Sequence, residues 1–475
     1  MPVGLTRTTG EAQETGWREG VGRDAQSLEE TFTILRDGAW TATKLRLITQ
    51  RAKENPKYKF TSLAYLLNEG FLEQCFKALE KNKACGIDRV TVEGYGANLG
   101  CNLKDLVGRM KALRYYPQPV RRVNIPKPNG KTRPLGISAV EDKIVQTGIK
   151  RILEAIFEVD FCDSAYGFRP NRSCHTALDV LDKTIMTKPV NAIVDMDIEK
   201  FYDTIDHKWL MECLRQRIND LSLLRLIVRF LKAGVMEEGR YIESDKGTVQ
   251  GDAMSPVLAN IYLHYVLNLW FERVARKQLK GYAKLIVYAD DFVVCFEDNE
   301  SARQFSEMLK QRLAKFGLKV AEDKSRVIEF GRAVWEKAGQ EGRKVATFNF
   351  LGLTHFCDKT RKGKFKVGRK TSDKKFRQKM SAVNEWLKKV RNLVKREEWW
   401  KVFRMKLLGH YRYYGISGNM RALRKFYYLT SELAYKWLNR RSQKKSISHS
   451  NFCRYLRSTL PQPRIYHLTY ALSSI

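Results

Sequence analysis

None of the nine cysteines belongs to a C-x-x-C pair, and the odd count leaves no closed disulfide framework. Most sit among apolar neighbours and read as reduced core thiols, which excludes a zinc finger and a secreted disulfide scaffold. The seven histidines have no metal-ligand spacing, so His207, His264 and His410 read as packing or capping residues. No run of 18 apolar residues occurs, so no spanning helix and no membrane partner are expected. The first thirty residues hold several acids and no apolar h-region, so no secretory leader is expected and a reducing, cytoplasmic setting is. No internal repeat is present. Acidic residues are also scarce: 52 Asp plus Glu face 86 Lys plus Arg, a net charge of +34. An excess that large points to a polyanionic partner, and nucleic acid is the first candidate.

What is present is an ordinary globular balance, 43% apolar and 29% charged over 475 residues, enough for about three domains. The charge is uneven. From Phe356 to Ile475 there are 31 Lys/Arg and 6 Asp/Glu, so +25 of the total lies in the last 120 residues and +9 in the first 355. A near-neutral body followed by a basic segment suggests a catalytic unit followed by a binding unit.

Periodicity divides the chain further. Residues 1–56 form a polar extension whose first 40 or so are Gly-rich, with helical spacing setting in from Leu45 and running through Leu63, Leu67, Phe71 and Phe76 to Lys81. Tyr115 to Ile137 reads as a hairpin turning at Pro126 to Gly130. Helices are predicted over Val140 to Glu158, Ser173 to Thr184, Trp209 to Arg217, Leu221 to Lys232, Ser255 to Lys277 and Ala302 to Phe316. Short extended runs fall at Asn191 to Ile198, Leu285 to Phe296, Lys319 to Phe330 and Thr347 to Leu353. Antiparallel strands packed by helices make an α+β layer, not a doubly wound parallel sheet. Residues 356–375 read as a basic linker and 456–475 as a short tail, with helices between them.

Chemistry is expected where carboxylates gather at strand ends. Asp195 and Asp197 share one strand face by period 2, and Asp290 and Asp291 mark the tip of a hairpin whose two flanks are apolar. If that hairpin pairs with the Asp197 strand, three carboxylates converge and require cations, for which the hard, oxygen-seeking Mg²⁺ is suited. Two such ions serve an in-line phosphoryl transfer. Because adjacent strand residues point to opposite faces, Asp290 is expected to be the stronger ligand, with Asp291 helping from the turn. Asp203 and Asp206 read as caps of the helix that begins near His207.

The segments IPKPNGKTRPLGI, YGFRPNRSCHTAL, VDMDIEKFYDTIDH, GTVQGDAMSPVLANIYL, VYADDFVV, GLKVAEDKSRVIEF and FNFLGL follow one another between Tyr115 and Leu353. In that order they resemble the motifs of group II intron reverse transcriptases. GIDRVTVEGY, at Gly86 to Tyr95, resembles the extra N-terminal block of non-retroviral reverse transcriptases. FRQKMSAVNEWLKKVR, LLGHYRYYGI and LTSELAYKWLNRRSQKKS resemble the maturase-specific thumb, or X, domain. The resemblance implies a right-hand polymerase: an N-terminal fingers extension over 57–107, fingers and palm over 108–355, and a helical thumb over 376–455. It departs from the family at Val249, where proline is usual. It also departs in having no paired-cysteine endonuclease segment after LPQPRIYHL, so second-strand cleavage in cis is not expected.

The resemblance also assigns roles. Asp197, Asp290 and Asp291 become the metal-binding triad, with the carbonyl of Ile198 a further ligand and Mg²⁺ (two ions) the cofactor. Tyr202, a core aromatic by its pattern alone, becomes the gate under the incoming sugar. Lys127 and Arg133 grip the triphosphate of the incoming dNTP, Gln250 lies beside the nascent pair, and Gly251 admits the template backbone. Lys324 donates a proton to pyrophosphate or is a plain surface lysine. Arg169 and Arg172 contact the RNA template.

In the basic region, Trp399, Trp400, Phe403, Tyr411, Tyr413, Tyr414, Tyr427, Tyr428, Tyr435 and Trp437 interleave with Arg404, Arg412, Arg421, Arg424, Lys425, Arg440 and Arg441. Cations hold phosphates and exposed rings stack unpaired bases, while about half of the aromatics are assigned to packing. The implied partners are group II intron RNA, an RNA template, a DNA primer or target, and dNTPs. Two other readings stand beside the polymerase: an RNA-binding splicing factor without polymerase activity, and a host-adopted reverse transcriptase in defence or repair.

Overall fold

A computed structural model describes residues 41–126, 132–440 and 447–469. In chain order its strands are β1 (Val120–Pro126), β2 (Thr132–Ile137), β3 (Ala192–Asp197), β4 (Val235–Glu237), β5 (Arg240–Ile242), β6 (Ala283–Tyr288), β7 (Asp291–Phe296), β8 (Arg326–Glu329), β9 (Phe348–Phe350), β10 (Leu353–Lys359) and β11 (Phe365–Thr371). They form three sheets, ordered β2-β1-β4-β5, β6-β7-β3-β8 and β11-β10-β9. The central one, β6-β7-β3-β8, is antiparallel throughout. The fold is the expected α+β.

The central sheet is a wall between two cores, and period-2 alternation decides which residue enters which. Val194, Met196, Phe292, Val294 and Phe296 face the fingers and palm core. Ile193, Ile286, Val293, Cys295 and Ile328 face the thumb-side core. The helix Val140–Phe157 runs through the first core, burying Ile144, Val145, Ile149, Ile152, Leu153 and Ile156. The helix Cys174–Thr187, capped by the Ser173 side chain on the Thr176 N–H, covers the other face. As expected, Asp206 caps the helix His207–Arg215 by accepting from the Trp209 N–H at 3.1 Å.

The segment expected to be a basic linker is a hairpin. β10 and β11 pair from Leu353 with Thr371 to Lys359 with Phe365, and Phe365 and Val367 are buried under the lysines. Arg369, 2% exposed, reaches Asp182 of the helix Cys174–Thr187 at 2.8 Å, which fixes the hairpin to the palm. The helices of the segment expected to form the thumb, called the thumb helices below, follow at Asp373–Val390, Arg396–Tyr414, Met420–Asn439 and His449–Thr459.

The expected tail is likewise held through residue 469. The Ser417 N–H donates to the His467 carbonyl at 3.0 Å and the Tyr466 N–H to the Gly415 carbonyl at 2.7 Å. Packing takes more of the thumb aromatics than the half expected. Trp399, Trp400, Phe403, Tyr411, Tyr414 and Trp437 are all buried, while Tyr413 and Tyr428 are exposed. Among the described residues no helix is long and apolar enough to cross a membrane.

Candidate active site

β3 and β7 pair with Asp197 directly opposite Asp291 and Asp195 opposite Val293. Directly opposed residues project on one face with Cβ atoms about 5 Å apart, so Asp195, Asp197 and Asp291 share the thumb-side face at the end of the sheet. Asp290 lies one step away, in the two-residue turn Ala289-Asp290 that joins β6 to β7. The turn therefore lies one residue earlier than expected: Asp291 is the first strand residue and faces Asp197, and Asp290 sits in the turn. The physical reason is that Ala289 takes the left-handed position, at φ 56°, so the turn closes one residue earlier.

That turn is braced from behind. The Tyr166 N–H donates to the Val287 carbonyl and the Val287 N–H to the Ser164 carbonyl, each at 2.8 Å. A Cβ on Gly167 would fall 2.3 Å from the Ala289 nitrogen, so only glycine fits there. Asn260, buried in its helix, donates to the Gly167 carbonyl at 2.8 Å. Tyr166 and Gly167 of the YGF segment thus support the turn that carries the acids.

The acids repel one another in a dry place. Burial, followed by the charges of Asp195 and Asp290, pushes the Asp291 carboxyl up to about 7, while the Leu351 backbone N–H acts to lower it. Asp290 is raised by burial and by Asp197, with Arg133 and Lys324 opposing. The Lys324 ammonium lies 2.5 Å from Asp197 Oδ2 and acts as a counter-ion. Arg326 stands 3.7 Å from Asp195. Among the described residues no three acidic, histidine or cysteine side chains are gathered tightly around one point. The donor set is nevertheless all carboxylate oxygen, with Asp290 and Asp291 lacking an ion pair among the described residues, which suits a hard divalent cation.

Ile198 meets Val320 in an antiparallel bridge. The flanking bonds run from the Glu199 N–H to the Lys319 carbonyl and from the Ala321 N–H to the Asp197 carbonyl. Ile198's own carbonyl therefore turns to the opposite edge, the one that carries Asp290. The half-buried Tyr202 ring packs edge-on against Phe201, and its hydroxyl is pushed up to about 12 by burial and by Asp290. Arg133 on β2 is exposed above the same acids and opposes that shift. Lys127 and Arg441 lie outside the described residues.

The remaining expectations meet a different geometry. Arg169 is buried and donates to Glu158 and to the carbonyls of Cys162 and Ala165. Arg172 donates to the Asp163 carboxylate and to the carbonyls of Asp163 and Ala165. Both arginines tie the loop before the helix Cys174–Thr187. At Gly251, φ is +119° and a Cβ would fall 2.5 Å from the Gly136 carbonyl oxygen. What approaches this glycine within the chain is β2 of the fingers sheet. The Gly136 N–H donates to the Gln250 carbonyl at 2.8 Å, and the Val249 side chain fills the space where Gly136 lacks a Cβ. Arg404, Arg412, Arg421, Arg424, Lys425 and Arg440 are exposed on the thumb.

Between the acids and the thumb lies an open cleft of about 1030 Å³, entered by Arg133, Asp291 and Gly352 on one side and by Lys375, Lys379 and Lys406 on the other. Cations facing a carboxylate cluster across an open groove form a surface for a phosphate backbone that ends at the acids. Composition had missed the Leu351 amide and the Gly167 brace, although the glycines of FLG and YGF were their visible signs.

Residues 125–355 match the family model described as reverse transcriptase (RNA-dependent DNA polymerase). The chain is 40% identical over 240 residues to the group II intron-encoded protein LtrA of Lactococcus lactis subsp. cremoris, which covers 48% of this chain and 39% of that protein. It is 35% identical over 206 residues to protein YkfC of Escherichia coli (strain K12), covering 42% and 52%. To the putative COX1/OXI3 intron 1 protein of Saccharomyces cerevisiae it is 36% identical over 191 residues, covering 38% and 23%. The matches thus span from about a quarter to about half of the length of these relatives. With the acid triad at the end of an antiparallel sheet and the cleft in front of it, residues 125–355 match the reverse transcriptase family model and are similar to group II intron-encoded proteins.

Proposed function

We propose that this chain is an RNA-directed DNA polymerase of a group II intron, adding deoxynucleotides to a primer 3′-OH on an RNA template. The carrying observation is the register that sets Asp197 opposite Asp291, with Asp290 in the adjoining turn. In this reading those three carboxylates and the Ile198 carbonyl hold two Mg²⁺ ions. Bound there, the ions would activate the attacking hydroxyl and stabilise the leaving phosphate oxygen. Arg133 and Lys127 hold the triphosphate, Tyr202 lies under the sugar, and Gln250 lies beside the nascent pair. Lys324, once released from Asp197, is in position to give a proton to pyrophosphate.

The domain division carried forward is a fingers extension over 57–107, fingers and palm over 108–355 and a thumb after the β10–β11 hairpin. The nine free cysteines suit a cytoplasmic site of action. Replacing both Asp290 and Asp291 with Ala is expected to abolish primer extension on an RNA template, by at least about 10³-fold, while RNA binding survives. Full extension by that variant rejects the metal assignment. A wild-type protein that binds intron RNA and never extends a primer supports the splicing-factor reading instead.

The exposed thumb cations Arg404, Arg412, Arg421, Arg424, Lys425 and Arg440 favour a second role, holding the intron RNA as it splices. That maturase activity is measured as splicing of the precursor RNA with and without the protein.

A further inference from the structure

The turn between β9 and β10 is built from an unfavourable residue. Phe350 pairs with Leu353, which leaves Leu351-Gly352 as a two-residue turn with φ of 48° and 77°. Turns with both φ values positive favour Asn-Gly or Asp-Gly, and leucine there is strained. Such a conformation persists only where its surroundings over-determine it. Three neighbours do so. Leu351 lies beside Asp291 in the wall of the cleft. The Tyr413 hydroxyl donates to the Leu351 carbonyl at 3.1 Å. The Tyr414 hydroxyl closes over Gly352, where a Cβ would come within 3.2 Å of it.

Tyr413 is itself well anchored. It is the penultimate residue of the thumb helix Arg396–Tyr414, and its carbonyl meets His175 Nε2 at 2.8 Å. His175 belongs to the palm helix Cys174–Thr187 and stacks at 3.5 Å on His467 from the C-terminal segment. The hydroxyl is therefore aimed by a helix end that meets the palm through His175 and the C-terminal segment through His467, whose Nε2 lies 2.8 Å from the Arg412 carbonyl.

We propose that Tyr413 is a positioning residue whose hydroxyl holds the Leu351 turn, and through it the Asp291 carboxylate, so that seating the thumb helix sets the geometry of the acid cluster. The consequence for catalysis rests on the polymerase reading; the tether itself does not. A thumb that lifts from the palm loses this bond, loosens the turn and frees Asp291 to rotate.

Tyr413→Phe in the full chain removes one oxygen and keeps the ring. In the protein alone, hydrogen exchange at the backbone amides of residues 348–354 should quicken about five- to tenfold, the loss of one hydrogen bond. Exchange in the rest of the thumb helices should stay unchanged. In the primer–template complex, Mn²⁺ binding read from the free-ion EPR signal should weaken about fivefold, while primer–template affinity holds. Adding Leu351→Asn, which accepts a positive φ, should recover part of both.

Unchanged exchange at 348–354 overturns the proposal, and so does a loosening spread over the whole thumb. Weaker primer–template affinity with an unaltered turn also overturns it and makes Tyr413 a nucleic-acid contact. If the wild type extends no primer, the polymerase reading fails, and the exchange result still decides the tether.

Discussion

The two faces of the central sheet are built differently. On the fingers and palm side, the largest buried polar side chains have partners for most of their polar atoms, although Arg217 Nε and Asn268 Oδ1 have none among the described residues. Arg217 donates to the carbonyls of Ala52 and Pro56 and to Asp160, Tyr115 donates to Asp142 at 2.5 Å, and Ser138 donates to Asp252. On the thumb side, Trp399 Nε1, Trp400 Nε1, the Tyr411 hydroxyl and both nitrogens of His410 are buried with no hydrogen-bond partner among the described residues. A satisfied buried network makes a core rigid and unique, and an unsatisfied one lowers the cost of opening it. The acids stand at the boundary, on the thumb-side face of a sheet whose other face is the rigid core. Under the polymerase reading proposed above, that arrangement would let the sheet stay fixed while the thumb side adjusts to a duplex.

The largest break in this comparison should come at a buried ion pair that joins the two halves. Asp182 and Arg369 are 0% and 2% exposed and link the palm helix to the thumb-side hairpin. Arg369→Ala leaves a buried carboxylate without its cation and should cost about 3–5 kcal/mol in denaturant unfolding. Replacing both residues with apolar ones of similar size should cost much less. If the single substitution is nearly neutral, the halves are not coupled there.

How far the sequence carries depends on which signals are local. The convergence of Asp197 with the YADD tip was legible because strand alternation and a hairpin tip are short-range patterns. The place of the turn beside Asp290 was not, because it hangs on an alanine adopting φ 56°. The β10–β11 hairpin was hidden for a different reason. Lysines at 359, 362, 364, 366 and 370 mask the alternation of Phe365 and Val367, and the partner of Arg369 lies far back in the chain. Arg169 and Arg172 sit in a motif that suggests nucleic acid, yet the nearest acceptors are their own loop carbonyls. Composition cannot distinguish a donor already in use from a free one.

The next effect concerns charge, which the thumb carries outward and the palm inward. Arg421, Arg424 and Lys425 project from one turn of the helix Met420–Asn439 and are exposed. Changing all three to Ala should lower RNA affinity about tenfold or more at moderate salt and reduce the slope of log K against log salt by about two. The rate of a single nucleotide addition at saturating primer–template should barely move. A matching fall in that rate would mean these cations act at the acids rather than along the RNA.

Acid should separate the two sides most finely. Burial, with Arg369 adding to it, pushes His355 down to about 3, and burial with Lys379 does the same to His410. Unfolded histidines bind protons below about 6.5, so each of these groups lends the thumb side stability that is present above that pH and lost as pH falls through it. At pH 5.5 the loss is about 1.4 kcal/mol for each. Burial moves Asp142 the other way, up to about 7, and Asp252 up to about 6. Folded carboxyls that bind protons where unfolded ones do not gain stability as pH falls from 7 toward 4. His264, pushed down to about 4 by burial, opposes this within the palm, but the raised carboxyls outnumber it. Going from pH 7.5 to 5.5, amide exchange corrected for its intrinsic rate should therefore show weaker protection in the helices Arg396–Tyr414 and Met420–Asn439 and stronger protection in Val140–Phe157. If both regions shift in the same direction, the buried histidines are not what makes the thumb the softer half.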